Sequence, residues 1–231
     1  CCATGFGAGE WIADSKGKCK VWNIDPQPNE SVSWSGACVD GYASGMGTNI
    51  WYQDGKEMER YDGVMFKGRP HGKGSVTWAN GGRYEGDFVY GKPHGKGTYS
   101  WANGGRYDGG FVDGERAGKG TFRFANGDTY EGDFVSDRRT GKGTYVWANG
   151  NQYSGDFVNN KLHGKGTLTF ANGDTYEGDF VNDRRTGSGT YTWMNGNRYT
   201  GNFVDGRRTG KTPTKGPPAG AGQRAASVAR C

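Results

Sequence analysis

The sequence contains no uninterrupted apolar run of about 18 residues, so no segment reads as a membrane-spanning helix. Only 32% of its residues are hydrophobic, against 45 glycines in 231 positions, which leaves too few aliphatic side chains for a conventional core. Such low hydrophobicity can signal disorder, but the aromatic residues, 14% of the chain, fall on a strict period that disorder does not produce. Histidine is scarce as well. His71, His94 and His163 occupy one recurring slot that elsewhere holds Ala117, Thr140, Thr186 and Thr209. A position interchangeable with Ala and Thr reads as turn packing rather than catalysis. The five cysteines form no CxxC pair and have no neighbouring histidine, which argues against a zinc site. No Ser or Cys recurs beside a matching base, so nothing marks a nucleophile. The sequence calls for no metal and no cofactor.

What is present is a repeat. From Tyr61, tyrosine returns every 23 residues, at Tyr84, Tyr107, Tyr130, Tyr153, Tyr176 and Tyr199. Between them recur Tyr-x-Gly, Phe-Val, Gly-x-Gly-Thr, two aromatics spaced by one, and Asn-Gly. A fixed period of this length marks units that bury their faces only against neighbours. Within a unit the hydrophobic period is two. Tyr84, Gly86 and Phe88 share one strand face while Glu85 and Asp87 share the other, and Gly97, Tyr99 and Trp101 alternate with Thr98 and Ser100. The Asn-Gly pairs, such as Asn103-Gly104, are expected to reverse the chain as tight turns in which both residues adopt positive φ. The predicted fold is therefore all-β: an elongated, single-layer antiparallel meander of about fourteen strands and roughly 65 Å at the usual strand spacing.

Glycines on the aromatic face explain how one layer could be stable. Gly86 and Gly97 leave troughs without Cβ atoms, across which neighbouring Tyr and Trp rings are expected to lie flat. Each ring would bury roughly 150–250 Å². The expected spine comprises Tyr84, Gly86, Phe88, Gly97, Tyr99, Trp101, Tyr130, Phe134, Trp147, Tyr176, Phe180 and Trp193.

Tyr84, Gly86 and Phe88, followed by His94-Gly95-Lys96-Gly97-Thr98 and Asn103-Gly104, resemble the signature of the MORN repeat family (membrane occupation and recognition nexus). Six full copies run from Tyr61 to Arg198, and a half copy follows from Tyr199. The resemblance implies a β-meander used for scaffolding, self-association or membrane-proximal contacts, and no reaction of its own. On this reading residues 1–33 are an amino-terminal segment and cap, 34–60 a degenerate first repeat, 61–210 the array, and 211–231 a disordered tail rich in Pro and small residues. Trp34, Gly36, Gly47 and Trp51 carry the grammar of the degenerate copy, and a terminal repeat is expected to be atypical because its outer edge lacks a partner. The stretch from Cys19 through Trp51 is also similar to the lead-ins of bacterial envelope or secreted MORN proteins. Cys19 and Cys38 flank a Pro-containing hairpin. They read either as a disulfide, which implies an oxidising compartment, or as two reduced thiols. The chain starts Cys1-Cys2 without Met, which reads as a fragment, with a lipidated amino-terminal Cys as the alternative.

Other candidate chemistry is weaker. Gly91 to Thr98 superficially matches a phosphate loop, but its glycine spacing is one residue short and a strand, not a helix, follows. The repeated carboxylates, among them Asp87, Asp133, Asp156 and Asp179, are equivalent and outward-facing, unlike the contrasting pair of a glycosidase. Basic residues are expected at the loop tips: Lys92, Lys96, Arg138, Arg139, Lys142, Lys165, Arg184 and Arg185 form a candidate edge for anionic lipid, diluted by Asp137, Asp183 and Asp205. Val89, Val112, Val135, Val158, Val181 and Val204 make an outward apolar row suited to self-association. The function expected is a non-catalytic scaffold for protein partners or a second copy of itself. The alternatives are peripheral attachment to anionic, phosphoinositide-type membranes, or an accessory region of a larger enzyme. Nucleic acid and nucleotide are not expected as partners, since the aromatics are committed to the spine.

Overall fold

A computed structural model of the chain describes residues 9–210. The tail expected from 211 onward, Cys1, Cys2 and Cys231 lie outside the described residues. Every regular element among the described residues is a β-strand. Five precede the array: β1 (Glu10–Ala13), β2 (Lys20–Asn23), β3 (Glu30–Trp34), β4 (Ala37–Val39) and β5 (Tyr42–Gln53). The next seven are β6 (Lys56–Phe66), β7 (Arg69–Trp78), β8 (Arg83–Val89), β9 (Lys92–Ser100), β10 (Arg106–Val112), β11 (Glu115–Arg123) and β12 (Thr129–Val135). The last seven are β13 (Arg138–Val146), β14 (Gln152–Val158), β15 (Lys161–Thr169), β16 (Thr175–Val181), β17 (Arg184–Thr192), β18 (Arg198–Val204) and β19 (Arg207–Arg208). The fourteen expected strands thus correspond to β6 through β19, and the preceding segment adds five more.

By their contacts the described residues form two units, 9–127 with 133–137, and 128–132 with 138–210. In the first, β5 to β11 pair each with the next, all antiparallel. The long β5 also takes β3 along Asn49–Gln53 and β4 along Tyr42–Ser44, while β2 meets Tyr42 through one parallel bridge. That arrangement sets β2 and β4 beside the same end of β5 and brings the Cys19 and Cys38 Cα atoms to 5.4 Å, where the two residues form a disulfide. Closing a loop of this length stabilises the fold by about 3 kcal/mol in the chain-entropy account. In the second unit β13 to β19 form the same neighbour-to-neighbour meander. Strands paired only in succession make an open sheet, not a barrel.

The turns are distributed differently from the sequence expectation. The two-residue turns with both φ positive lie between the first and second strands of each repeat, as at Tyr90-Gly91, Asn159-Asn160 and Asn182-Asp183. At the Asn-Gly end only the glycine has positive φ, as at Gly104. There the Gly104 N–H donates to Trp101 O and the Trp101 N–H to Gly105 O, while Asn103 Oδ1 accepts from the Gly105 N–H at 3.0 Å. A side chain that closes its own turn suits Asn. The shift has a consequence for Lys92 to Lys96, which the sequence places in a loop. They belong to strand β9, where a bulge between Gly86 and Asp87 accommodates extra residues.

The core is a two-row aromatic lattice. Tyr61, Tyr84, Tyr107, Tyr130, Tyr153 and Tyr176 are completely or almost completely buried. Each ring lies over one glycine of its own strand and one of the next. A Cβ on Gly86 would fall 2.5 Å from the Tyr84 hydroxyl and 2.6 Å from Gly97 Cα. That hydroxyl donates to Asp87 O at 2.9 Å, and Tyr153 donates likewise to Asp156 O at 3.0 Å. The bulge thus supplies the acceptor that lets a phenol be buried. From Tyr84 onward each of these rings also meets two phenylalanines edge-on, whereas Tyr61, with Met65 in its own strand, meets Phe88 alone. Tyr84 packs on Phe88 at 5.0 Å and on Phe111 at 5.1 Å, and Tyr153 on Phe157 at 5.3 Å and Phe180 at 4.9 Å. Such pairs add about 0.5–1.5 kcal/mol beyond area burial. The tryptophans expected over the repeat glycines stand instead at the Asn-Gly end, half-buried. Only in the first copy does one take the tyrosine's place: the Trp34 ring covers Gly36 and Gly47 and its Nε1–H donates to Ala37 O at 2.8 Å.

Candidate interaction surfaces

On the face opposite the tyrosines, strand pairing brings each repeat's lysine against the next repeat's aspartate. Lys73 meets Asp87 at 2.7 Å, Lys119 meets Asp133 at 2.7 Å, Lys142 meets Asp156 at 2.6 Å and Lys165 meets Asp179 at 2.6 Å. The lysine contact holds the Asp87 and Asp179 carboxyls below their ordinary range. Lys96 faces Gly110, where the aspartate of the pattern is absent. Among the described residues neither Lys96 nor Lys92 forms an ion pair.

The remaining candidate cations go elsewhere. Arg138 Nη1 donates to Asn159 Oδ1 at 3.3 Å, and Arg184 pairs with Asp205 at 2.8 Å. Arg139 and Arg185 turn onto the aromatic face. The Arg139 guanidinium lies 5.6 Å from the Tyr130 ring centroid and 5.0 Å from Tyr145, and Arg185 lies 5.4 Å from Tyr176 and 5.8 Å from Tyr191. Their Nη2 atoms donate to Asn160 O and Gly206 O, both at 2.9 Å. Within the second unit the candidate cations of the expected anionic-lipid edge are therefore divided between the two faces of the sheet. Lys96, Lys142 and Lys165 are strand residues, two of them ion-paired, and Arg139 and Arg185 point to the other face. The physical reason is the turn. A two-residue reversal puts the first arginine at a strand end and sends the second, by the period of two, onto the rings.

The spine residues divide by burial. Tyr84, Phe88, Tyr130, Phe134, Tyr176 and Phe180 are buried, and Gly86 and Gly97 lie beneath the Tyr84 ring. Tyr99, Trp101, Trp147 and Trp193 are half-buried and form a second row. Tyr99 and Trp101 approach to 4.4 Å, and Trp101 stacks on Phe122 at 5.0 Å. In the second unit this row and the arginines border a groove of about 620 Å³ lined by Tyr145, Trp147, Leu162 and Leu168 among others. It adjoins a recess of about 520 Å³ walled by Phe170, Tyr191, Trp193, Arg185, Arg207 and Arg208.

Two residues escaped the sequence reading. Asp128 and Asp174 are buried carboxylates, each bridging to the following repeat. Asp174 accepts from the Tyr191 hydroxyl at 2.6 Å and the Met194 N–H at 2.8 Å, and Asp128 accepts from Tyr145 at 2.5 Å and the Ala148 N–H at 2.8 Å. Burial first, and the aspartate second, push the Tyr145 and Tyr191 hydroxyls up to about 12. The detectable signal was Gly-Asp-Thr-Tyr, which occurs at 127–130 and again at 173–176 but in no other copy. In the first unit Glu59 holds the equivalent slot and accepts from Trp78 Nε1–H at 2.7 Å. Burial raises its carboxyl pKa.

The three histidines stand in strands β7, β9 and β15 rather than in a turn, and each buries an Nδ1 atom without a hydrogen bond, the same in all three copies. No group of three or more His, Cys, Asp or Glu is placed to hold a metal ion among the described residues. Val112, Val135, Val158, Val181 and Val204 are exposed, between 44% and 62%.

Comparison with known proteins bears on the repeats. The model described as "MORN repeat" matches residues 61–83, 84–106, 107–129, 130–152, 153–175, 176–198 and 199–211. No curated protein matches the chain. Among solved structures, the chain is similar to the TCP domain of SAS-4 (dCPAP) of Drosophila melanogaster, in complex with a proline-rich motif of Ana2 (dSTIL). There the identity is 12%, the TM-score 0.43, and the coverage 78% of this chain and 97% of that one. It is similar too to the G-box domain of the microcephaly protein CPAP, with 13% identity, a TM-score of 0.44 and coverage of 90% and 100%. The TCP10 domain of Danio rerio CPAP, in complex with a STIL peptide, gives 10% identity, a TM-score of 0.41 and coverage of 90% and 99%. These scores are too low to establish a shared fold.

Proposed function

Because the chain belongs to the MORN repeat family, whose open β-repeat fold is typical of protein–protein interaction scaffolds, we propose that it is a non-catalytic scaffold that associates with protein partners, including a second copy of itself. The observation that carries this reading is the contrast between the two kinds of surface. The repeated charges neutralise one another within the array, from Lys73–Asp87 to Lys165–Asp179. The valines at the strand ends have no such partner, and Val158, Val181 and Val204 are 46%, 44% and 56% exposed. Val89 is half-buried, but from Val112 onward exposed valines recur at successive hairpins, which favours an apolar contact with a protein surface over attachment to charged headgroups.

The membrane alternative draws on Lys92, Lys96 and Arg138, exposed candidate cations that have no acidic partner among the described residues, and these are few for stable electrostatic attachment at about 1 kcal/mol each. Co-sedimentation with phosphatidylcholine vesicles containing phosphatidylserine or a phosphoinositide tests the choice. The scaffold reading expects little protein in the vesicle pellet at either low or high salt. Strong binding at low salt that is released at high salt would overturn it in favour of the membrane.

A further inference from the structure

We infer that the aromatic groove of the second unit binds an acidic segment of a protein partner, an extended stretch of about nine residues in which carboxylates alternate with apolar side chains. The inference rests on the scaffold reading and names the chemistry of one partner.

The groove and its adjoining recess share Arg185 and Gly206 as a common wall, and together they make the proposed channel. Aromatic side chains line it, from Tyr145 and Trp147 to Tyr191 and Trp193. Its charge is one-sided. Arg139, Arg184, Arg185, Arg207 and Arg208 line it, against two carboxylates, Asp183 and Asp205. Both carboxylates already have partners: Asp183 accepts from the Leu162 N–H at 2.9 Å, and Asp205 pairs with Arg184 at 2.8 Å. Among the described residues Arg207 and Arg208 form no ion pair, and Arg208 is laid over the Trp193 ring at 4.9 Å. A guanidinium stacked on a ring keeps a free edge of N–H donors in a fixed orientation, and that edge matches a carboxylate in two-pronged fashion.

Two features select a peptide as the occupant. Arg139 and Arg185 are half-buried between rings, so a ligand must enter the channel to reach them, which a planar headgroup surface does not do. The channel also crosses from β13 to β19, six strand spacings or about 29 Å, and an extended chain covers that distance in about nine residues. Apolar side chains would then rest on the aromatic row while alternate carboxylates reach the arginines.

The test uses a fluorescein-labelled nonapeptide alternating Glu with Leu and Phe, titrated with the whole chain and read by anisotropy. The same peptide with Gln for Glu should bind at least about tenfold more weakly, as for loss of close charge pairs. Arg207→Glu with Arg208→Glu should weaken binding of the acidic peptide at least about tenfold. Lys92→Glu with Lys96→Glu, the same change in net charge placed in the other unit, should leave it within about twofold. Hydrogen exchange on the unaltered chain needs no variant: the acidic peptide should protect strands β17 and β18 and leave β1 to β5 unchanged. Equal affinity for the Glu and Gln peptides, equal weakening by the two charge reversals, or protection confined to β1–β5 would overturn the inference. Absence of peptide binding in a chain that still self-associates refutes the groove alone, whereas vesicle binding through Arg207 and Arg208 refutes the groove and the scaffold reading together.

Discussion

The Tyr191 hydroxyl donates to the buried carboxylate of Asp174 at 2.6 Å, and the same contact joins Tyr145 to Asp128 46 residues earlier (191 less 145). The second unit therefore has a period of two repeats superimposed on the period of one. Asp174 also receives the Met194 N–H and so satisfies a phenol near the end of β17 and a backbone donor in the turn that follows it. Its carboxyl is held below the ordinary range by the Tyr191 hydrogen bond first and the Met194 N–H second.

Removing that acceptor takes a partner from three donors, the Tyr191 hydroxyl, the Met194 N–H and the Asn172 side-chain amide. Asp174→Ala should lower the urea midpoint clearly, whereas Asp174→Asn, which keeps an acceptor oxygen, should lower it far less. Equal midpoints for the two variants would mean that the latch contributes nothing beyond its volume.

The tyrosine lattice sets a ranking that differs from the one the sequence suggested for tryptophan. Tyr153 is fully buried and Trp147 only half-buried. Tyr153→Ala should therefore destabilise by about 3–5 kcal/mol, as other large buried aromatics do, and Trp147→Ala by less. Gly166→Ala should rival Tyr153→Ala, because the added Cβ would collide with the Tyr153 ring. Chemical denaturation of the three variants checks the order. A tolerated Gly166→Ala would show that the ring does not rest on the glycine.

Buried phenols also make the fold sensitive to alkali. Burial pushes the Tyr84 and Tyr107 hydroxyls up to about 12, against about 10 in an unfolded chain. The stability linked to a raised pKa is complete below the unfolded value and is lost as pH rises toward the folded one. The chain should therefore hold its circular dichroism to about pH 10 and lose it between about pH 10 and 12. Most tyrosinate absorbance should appear together with that loss. Smooth ionisation near pH 10 with the sheet intact would contradict the packing.

Much of this was legible in the residues. Tyr, Gly and Phe at a period of two within 23 announced paired strands and one aromatic face, because burial on one side of a sheet leaves a direct alternation. Placement of the turns was not legible. Asn-Gly is the strongest short hairpin signal, yet it fills a longer turn closed by the Asn103 side chain, while Tyr90-Gly91 and Ser136-Asp137 make the two-residue reversals. Mislocating the turn displaced the cations with it. Lys142 and Lys165 read as loop tips but are mid-strand partners of Asp156 and Asp179. The stacking of Arg139 and Arg185 on the rings depends on which face follows the turn, and that was fixed only once the turn was placed. The Cys19–Cys38 bridge was one of two open readings. Only the pairing of β2 and β4 with the same end of β5 brings the two residues together.

Sedimentation velocity of the intact chain at low and high salt, beside the variant Val158→Glu with Val181→Glu, tests the scaffold most directly. If the exposed valines join copies, the wild type should sediment as an oligomer whose size persists as salt rises, since apolar contacts are not screened. The double variant should shift toward monomer without loss of β-structure. A wild type that is monomeric across the concentration range, or an oligomer that dissociates in salt and is indifferent to the two valines, would contradict the account.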